Sequence, residues 1–492
     1  MDLRPTNPVP VSLTDLSRSA GLVFDEPDES GAVTGISLAS QRVRPGDLYV
    51  ALAGARVHGI SYAASAVEAG AAAILTDPEH HSEAAQFGVP VLTHPAPRSV
   101  LGRVSAQVYG HPAQALTMIG VTGTQGKTTT TRLLEAGLLA AGVNAGVIGT
   151  VGTSINGTEV NTALTTPEAP DLHGLLAAMV EAGVTVCAME VSSHALVLGR
   201  VDGIVFDVAV FLNLGRDHLD FHTDLEDYFA AKASLFTPER ARTALINTDD
   251  EHGRRLLGQI RIPAASFGAG ADWSAAEIRT GPSGSQFSLV GPGVQVAASC
   301  PIPGAFNVDN TVAAIAAGAI GGLDPAAIAR GIGHSAGVPG RLEPINAGQD
   351  FAVLVDYAHK PDAVQAALDT LRPLTQGRVI VVIGAGGDRD AGKRPVMGLI
   401  AAQRADLVIV TDDNPRSEDP AVIRAAVLEG ARHGSAEVVE IGDRRAAIAA
   451  ALSSANSGDV VLIAGKGHET GQQIGSVVHP FDDRLVAREL LG

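Results

Sequence analysis

The sequence predicts an α/β protein built from three domains, and three observations predict it. Short continuous apolar runs alternate with helix-like stretches along most of the chain, which is the pattern of buried parallel strands joined by helices. Polar clusters follow these runs directly, and open α/β sheets bind their ligands beyond the carboxyl ends of their strands. The length of 492 residues exceeds what one hydrophobic core sustains. Boundaries are expected before Pro112 and at the turn Gly337-Val338-Pro339-Gly340, giving domains 1–110, 111–338 and 339–492. Aromatics make up only 4% of the chain, so the cores must come from Ala, Val, Leu and Ile.

In the first domain, residues 33–38 and 47–52 read as strands separated by the turn Arg44-Pro45-Gly46. Residues 60–68 read as a helix and 71–76 as another strand, with Ser40, Arg42, Arg56 and His58 as polar residues near strand ends.

The second domain opens with the run LTMIGV at 116–121, which leads into VTGTQGKT at 121–128 and out through a helix over 128–141. Strand, glycine-rich turn and helix form the context of a phosphate-binding loop. Gly123 and Gly126 let successive N–H groups face one anion, and the helix N-terminus adds partial positive charge. Lys127 can reach β- and γ-phosphates, and the Thr128 hydroxyl can hold Mg²⁺. The general pattern G-x-x-x-x-G-K-[ST] wants glycine at position 121, where this chain has Val121.

Two further runs, 184–189 and 205–212, end in Glu190-Val-Ser-Ser-His194 and in Asn213 through Asp217, His218 and Asp220. Both clusters are expected at the same sheet edge as the phosphate loop. A carboxylate and an imidazole near phosphates suit metal binding and catalysis, although each residue also reads as a cap or turn. Lys232 is the lone lysine of a helix over 227–236 and, from composition, reads as solvated. Residues 262–296, rich in Gly, Ser and alternating apolar positions, read as an antiparallel insertion or edge. Asn307 and Asn310 stand at the start of an alanine-rich helix over 308–319 and read as N-caps.

In the third domain the strand-then-polar pattern recurs four times, as expected of a Rossmann-like α/β domain. The clusters are Asp356-Tyr-Ala-His359, Gly384 through Arg389 and Asp390, Thr411 through Asp413, Asn414, Pro415 and Arg416, and Gly465 through His468 and Glu469. The turn at 384–387 lacks the G-x-G-x-x-G spacing of a dinucleotide site, so NAD binding is not expected.

A net charge of −18 argues against nucleic acid or an anionic membrane as partner, while local Arg and Lys clusters can still hold an anionic small molecule. Cys187 and Cys300 lie in apolar contexts and read as buried reduced thiols. The first ten residues carry no apolar signal segment, and the longest apolar run, near 312–323, falls short of the roughly 20 residues of a membrane span. A cytoplasmic, soluble chain is expected.

Taken together, the motifs at 122–128, 190–194, 213–220, 356–359 and 465–469 resemble the Mur ligase family, the ATP-dependent amide ligases of peptidoglycan precursor synthesis. The resemblance covers nearly the whole chain, and the family's shorter G-T-x-G-K-T loop accounts for Val121. It implies that the first domain binds a uridine nucleotide and the second ATP. Thr122, Gly123, Thr124, Gln125, Gly126, Lys127 and Thr128 match ATP positions, as do Asn307, Arg341 and Asp356. Leu38, Ser40, the 55–57 stretch, Thr165, Thr166, Ser192 and Arg200 match positions holding the UDP-MurNAc-dipeptide. The family's Leu-Asp-Ser-Arg run reads Leu38-Ala39-Ser40-Gln41 here, and Leu198 stands where some relatives have glutamine.

Lys232 matches a lysine that is carbamylated in this family, which converts a group repelling Mg²⁺ into an oxygen ligand. Lys127, Glu190, His218 and Lys232 are the implied catalytic residues, with Thr128, Glu190, His218 and Lys232 as Mg²⁺ ligands.

Within the family, D-N-P-R at 413–416 resembles the motif of members that add meso-diaminopimelate to UDP-MurNAc-L-Ala-D-Glu. Arg416 offers a planar fork for the distal carboxylate. Arg389, Asp413, Asn414, Pro415, Gly465 and Glu469 match the other positions for this amino acid, with Glu469 suited to an ammonium. The implied reaction runs through an acyl phosphate, with closure about 337–340 excluding water. The expected partners are ATP, the nucleotide dipeptide and diaminopimelate, with no nucleic acid, no membrane insertion and a monomeric chain. The readings kept beside this one are lysine or another diamino acid as substrate, a folylpolyglutamate synthase-like ligase and a non-ligating nucleotide-binding protein.

Overall fold

The computed structural model describes residues 4–24, 31–54, 56–160, 162, 164–218 and 220–492. Ala55 and Leu219, members of two motifs above, lie outside the described residues. The chain divides into one unit of residues 1–273 with 313–328 and a second of 274–312 with 329–492.

The first unit holds two large sheets. A five-stranded sheet has the order Val23–Phe24, Val91–Thr93, Ala73–Thr76, Asp47–Val50, Gly35–Ser37, parallel except for its first strand. The expected strand over 33–38 is broken at Thr34, and Ala32–Val33 pairs instead with Val11–Ser12. The broken stretch lies where the Asp47 carboxylate accepts from the Arg4 guanidinium at 2.7 Å and from the Arg44 backbone N–H at 2.9 Å.

The eight-stranded sheet positions the phosphate loop. Its parallel strands run Ala145–Gly149, Val186–Glu190, Thr117–Thr122, Phe206–Phe211, Ala241–Asn247 and Ala264–Phe267, and an antiparallel hairpin, Gly152–Ile155 with Thr158–Val160, extends one edge. The central strands are mostly apolar and buried along nearly their whole length on both faces, as a parallel sheet demands. Gly120 sits mid-strand because a Cβ there would come within 2.8 Å of the Phe206 ring. Glu190 pairs with Val121 and Phe211 with Thr122, so all three strands end level with the loop. Residues 264–267 are thus a parallel edge strand and not part of an antiparallel insertion, because their partner is the neighbouring strand of this sheet.

In the second unit, Ser274–Gly281, Gly284–Gly291 and Val294–Cys300 form the expected antiparallel sheet. A six-stranded sheet follows, ordered Glu343–Pro344, Ala352–Asp356, Val460–Ala464, Val379–Ile383, Leu407–Val410, Glu437–Glu440. All but the first pair are parallel, so Asp356, Gly384, Thr411 and Gly465 emerge at one edge. A hairpin, Gly471–Ile474 with Val477–Pro480, follows the last of these strands.

Asn307 and Asn310 are not N-caps. The helix begins earlier, at Ala305, and Asn307 donates from Nδ2 to the Pro303 carbonyl at 2.8 Å while accepting from Asn310 Nδ2 at 3.1 Å. The turn at 337–340 is firmly packed, with Val338 fully buried and a Cβ on Gly340 meeting the His468 backbone nitrogen at 2.2 Å. Cys187 and Cys300 are buried free thiols, and burial pushes the Cys187 thiol up to about 12. Among the described residues no helix is long and apolar enough to cross a membrane.

Candidate active site

The phosphate loop joins the strand Thr117–Thr122 to the helix Lys127–Ala140. Gly123 and Gly126 have φ of 156° and 88°, and a Cβ on Gly123 would stand 3.0 Å from Leu212 Cβ. Thr122 is buried and donates its hydroxyl to the Val191 carbonyl at 2.8 Å. Asn213 braces the turn from the neighbouring strand end. Its Oδ1 accepts from the Thr124 N–H at 3.1 Å and the Gln125 N–H at 2.9 Å, and its Nδ2 donates to the Gln125 carbonyl at 3.1 Å. Lys127 folds onto the loop, donating to the carbonyls of Gly123 at 2.7 Å and Thr124 at 3.1 Å.

Glu190, at the end of its strand, is buried beneath the start of that helix. Its Oε1 accepts from the Thr128 hydroxyl at 2.8 Å and the Thr150 N–H at 2.7 Å, and its Oε2 from the Thr150 hydroxyl at 3.1 Å. Thr165 and Thr166 attach to the same group of residues. Thr165 shares a hydroxyl contact with Thr150 at 3.0 Å, and Thr166 donates to the Glu190 carbonyl at 2.8 Å. Ser192 caps the short helix Ser193–Val197 through the Ala195 N–H. Arg200 binds Glu168 at 2.8 Å and the Thr166 carbonyl at 3.2 Å.

Lys232 is not the solvated lysine that composition suggests. It is 1% exposed, donates to the same Gly123 carbonyl as Lys127 at 2.9 Å, and lies 4.5 Å from the centroid of the Tyr228 ring. Burial, reinforced by the Lys127 charge, drives its pKa well below that of an ordinary lysine. Tyr228 also contacts the Thr124 hydroxyl at 3.2 Å and the His218 ring edge at 6.1 Å between centroids. His218 adopts a left-handed φ of 55°, pairs with Asp217 at 3.5 Å and meets the edge of His194 at 4.9 Å.

In the five-stranded-sheet region, Ser40 is buried in the turn Ser40–Arg42 and Leu38 packs on the core. A cluster the sequence does not reveal stands nearby in the chain: Asp77 contacts His58 Nε2 at 2.9 Å and His80 Nδ1 at 2.8 Å, and the two rings stack at 3.8 Å. His58 Nδ1 accepts from the Ile60 N–H, which leaves Nε2 as the ring nitrogen facing Asp77.

The second unit gathers the remaining candidates at its sheet edge. Asp413 and Asn414 are nearly fully buried, as is Pro415 beside them. Asn414 donates to Glu469 at 2.9 Å and accepts from the Gln473 N–H at 2.9 Å. Arg416 has a left-handed φ of 52°, held by hydrogen bonds of its backbone to Gln473 and Gly475, and its guanidinium donates to the Gly387 carbonyl at 2.7 Å. Arg389 is exposed on the adjacent loop, donating to the Asp388 carbonyl. Gly465 has φ of 113°, and a Cβ there would come within 2.5 Å of Asp413 Oδ2.

Beneath both loops, Arg444 is buried against Asp483 in a two-pronged pair at 2.7 Å. It donates as well to the carbonyls of Ala464 at 2.9 Å and Asp412 at 3.3 Å. Asp356 accepts from the N–H groups of Leu342 and Ala358. Burial raises its carboxyl and Arg341 partly offsets this. Arg341 lies over the Tyr357 ring at 5.1 Å.

Comparison with known proteins decides the family. The profile of the Mur ligase family catalytic domain matches residues 32–109, the Mur ligase middle domain 121–318, and the Mur ligase glutamate ligase domain 340–467. The chain belongs to the Mur ligase family. A relative of this Mur ligase from Streptomyces coelicolor, named UDP-N-acetylmuramoyl-L-alanyl-D-glutamate–2,6-diaminopimelate ligase, is 51% identical over 99% of this chain and 98% of its own length. One from Leifsonia xyli, named UDP-N-acetylmuramyl-tripeptide synthetase, is 45% identical over 99% of this chain and 98% of its own. A solved structure of a UDP-N-acetylmuramoyl-L-alanyl-D-glutamate–2,6-diaminopimelate ligase superposes with a TM-score of 0.71 at 34% identity, covering 98% of this chain and 99% of that one.

Three residues of this Mur ligase that sequence reasoning passes over are prominent in the geometry: Thr150, Tyr228 and Arg444. Each acts through a contact with a segment distant in sequence, Glu190 for Thr150, Thr124 for Tyr228 and Asp483 for Arg444.

Proposed function

We propose that this chain joins meso-2,6-diaminopimelate to the D-glutamyl side-chain carboxyl of UDP-MurNAc-L-Ala-D-Glu, consuming ATP and releasing ADP and phosphate, a step in making the peptidoglycan precursor. The observation that carries the reading is the convergence of Asp413, Asn414, Arg416, Gly465 and Glu469 at one sheet edge. That set offers a carboxylate reader and an ammonium reader side by side. We assign nucleotide-dipeptide binding to 1–110, ATP chemistry to 111–338 and amino-acid binding to 339–492.

The D-glutamyl carboxylate attacks the γ-phosphorus, the bond to ADP breaks, and an acyl phosphate forms. The amine of diaminopimelate then attacks the acyl carbon and expels phosphate. Both first-step reactants are anions, so charge neutralisation is the main task of the site. Lys127 exchanges its two carbonyl acceptors for phosphate oxygens, which are stronger partners for an ammonium. The helix N-terminus at Lys127 supports the same charge. Asn307, Arg341 and Asp356 are assigned to ATP, and Leu38, Ser40, Thr165, Thr166, Ser192 and Arg200 to the nucleotide dipeptide.

Magnesium fits the donor set at the loop. Thr128 Oγ1 and Glu190 Oε1 lie 2.8 Å apart. Adjacent oxygens of an octahedron with bonds of about 2.0–2.1 Å are separated by roughly 3 Å. When bound, the ion supplies neutralisation of phosphate charge. His218 and Lys232 are assigned to a second ion. Lys232 suits that role only as a carbamate, and its depressed pKa favours the neutral amine that adds CO₂, releasing one proton.

The test is phosphate release and product mass with ATP, the nucleotide dipeptide and, in turn, meso-diaminopimelate, L-lysine and L-ornithine. Release is expected only with all three substrates and fastest with diaminopimelate. Equal release without an amino acid refutes ligation, and faster turnover of L-lysine replaces the amino acid.

A further inference from the structure

Lys466 lies between Gly465 and Gly467, where a lysine would ordinarily reach solvent, yet its side chain is fully buried. Its ammonium donates to Asn414 Oδ1 at 3.1 Å and to Glu469 Oε2 at 3.1 Å, and stands 4.0 Å from Asp413 Oδ1. It therefore touches three of the residues assigned to the amino acid and none of their backbone. The Asn414 amide is fixed by this contact: its oxygen takes Lys466 and the Gln473 N–H, so its NH₂ must face Glu469.

The charges of this contact set can be counted. Counting Lys466 with the residues assigned to the amino acid that are at least half-buried, Asp413 and Glu469 contribute two negatives and Lys466 and Arg416 two positives, whereas Arg389 is exposed to solvent on the adjacent loop. Arg444 below is matched by its own partner, Asp483. We propose that Lys466 is a specificity-positioning residue that makes the amino-acid pocket electroneutral, so that it selects a side chain ending in a zwitterionic head over one ending in a lone ammonium. The inference rests on the proposed amino-acid site and deepens it.

The physical reason is the cost of burying unbalanced charge. A pocket with net charge −1 draws a lone ammonium and repels a carboxylate, whereas a neutral pocket with separated poles matches a head that carries both. Arg416 alone cannot produce this selection, because Asp413 and Glu469 would outweigh it. Lys466 cancels the surplus and, together with Asn414, engages Glu469 Oε2, so that Oε1 is the oxygen left to accept from a ligand ammonium.

The experiment compares two inhibitors of the full-length enzyme with diaminopimelate as variable substrate: L-lysine, which lacks the distal carboxylate, and L-2-aminopimelate, which lacks the distal ammonium. In wild type the two inhibition constants are expected to lie within tenfold of each other. Lys466→Gln keeps an amide donor for Asn414 but loses the charge. It is expected to move their ratio at least tenfold toward L-lysine and to raise the diaminopimelate KM at least tenfold, with the ATP KM within twofold of wild type.

An unchanged ratio in Lys466→Gln overturns the proposal, as does equal weakening of both inhibitors. If the variant does not fold, the wild-type pair decides: a preference for L-lysine above a hundredfold overturns it and near-equality supports it. Failure of Arg416→Ala to weaken diaminopimelate would instead indict the site itself, so the two failures are distinguishable.

Discussion

Replacing Gly465 by alanine tests the geometry of the amino-acid site with a single methyl group. The added Cβ would stand 2.5 Å from Asp413 Oδ2. Ordinary contact begins near 3.4 Å, so the carboxylate must withdraw by roughly 0.9 Å. The glycine backbone cannot yield instead, because Arg444 grips the preceding carbonyl at 2.9 Å and is itself buried against Asp483. A displacement of about 1 Å in a positioning group costs on the order of 10²-fold in rate. We therefore expect kcat/KM for diaminopimelate to fall by about two orders of magnitude, carried by KM, with the KM values of ATP and nucleotide dipeptide unchanged. The left-handed φ of 113° adds a backbone penalty of roughly 1–3 kcal/mol to stability. Gly458→Ala separates the two effects, since Gly458 also has positive φ, 82°, but open space around its Cβ. It should lower the melting temperature and leave KM alone. Steady-state kinetics with both variants decide the matter. If Gly465→Ala binds diaminopimelate like wild type, Asp413 is not held where the amino acid needs it.

Lys127→Ala should reduce turnover by about 10²–10³-fold or more through lost phosphate stabilisation. Activity within tenfold of wild type in a phosphate-release assay would remove the loop from the mechanism. Arg416→Ala should raise the diaminopimelate KM about 10- to 150-fold, the equivalent of roughly 1.5–3 kcal/mol for a charge-assisted contact, and leave L-lysine nearly unaffected; parallel losses for both amino acids would contradict its role as carboxylate reader. His173 is fully buried, and burial lowers its pKa from 6.5 to about 4. The folded state then binds fewer protons than the unfolded chain between these values, so stability is lost as pH falls from 6.5 toward 4, by an amount of order 3 kcal/mol. His173→Leu should flatten that slope in urea titrations across pH 4–7, and an unaltered slope would show that another group carries the acid sensitivity.

Much of this arrangement is legible in the sequence because local chemistry dictates it. Gly123 and Gly126 announce a turn that only they can make, and the apolar runs before Glu190 and Gly465 place both residues at strand ends. What escapes is set by contacts between distant segments. Lys232 reads as a solvated lysine because its ammonium is held by the Gly123 carbonyl, 109 residues away, and the burial of Lys466 likewise depends on Asn414, 52 residues before it. Asn307 reads as a cap because its side chain suits one, yet the helix starts two residues earlier and that amide reaches back to Pro303 instead. Residues 264–267 carry no mark that tells a parallel neighbour from an antiparallel one.

Arg444 holds the carbonyls of Asp412, just past the strand Leu407–Val410, and of Ala464, the last residue of the strand Val460–Ala464; these two strands flank Val379–Ile383. Its hydrogen bonds to the two loops go to main chain only, so the register of the loops does not depend on a hydrogen bond to any side chain they display. Exposed or half-buried side chains on these loops, such as Arg416 and Glu469, can therefore change while the same buried guanidinium keeps the two loops in register.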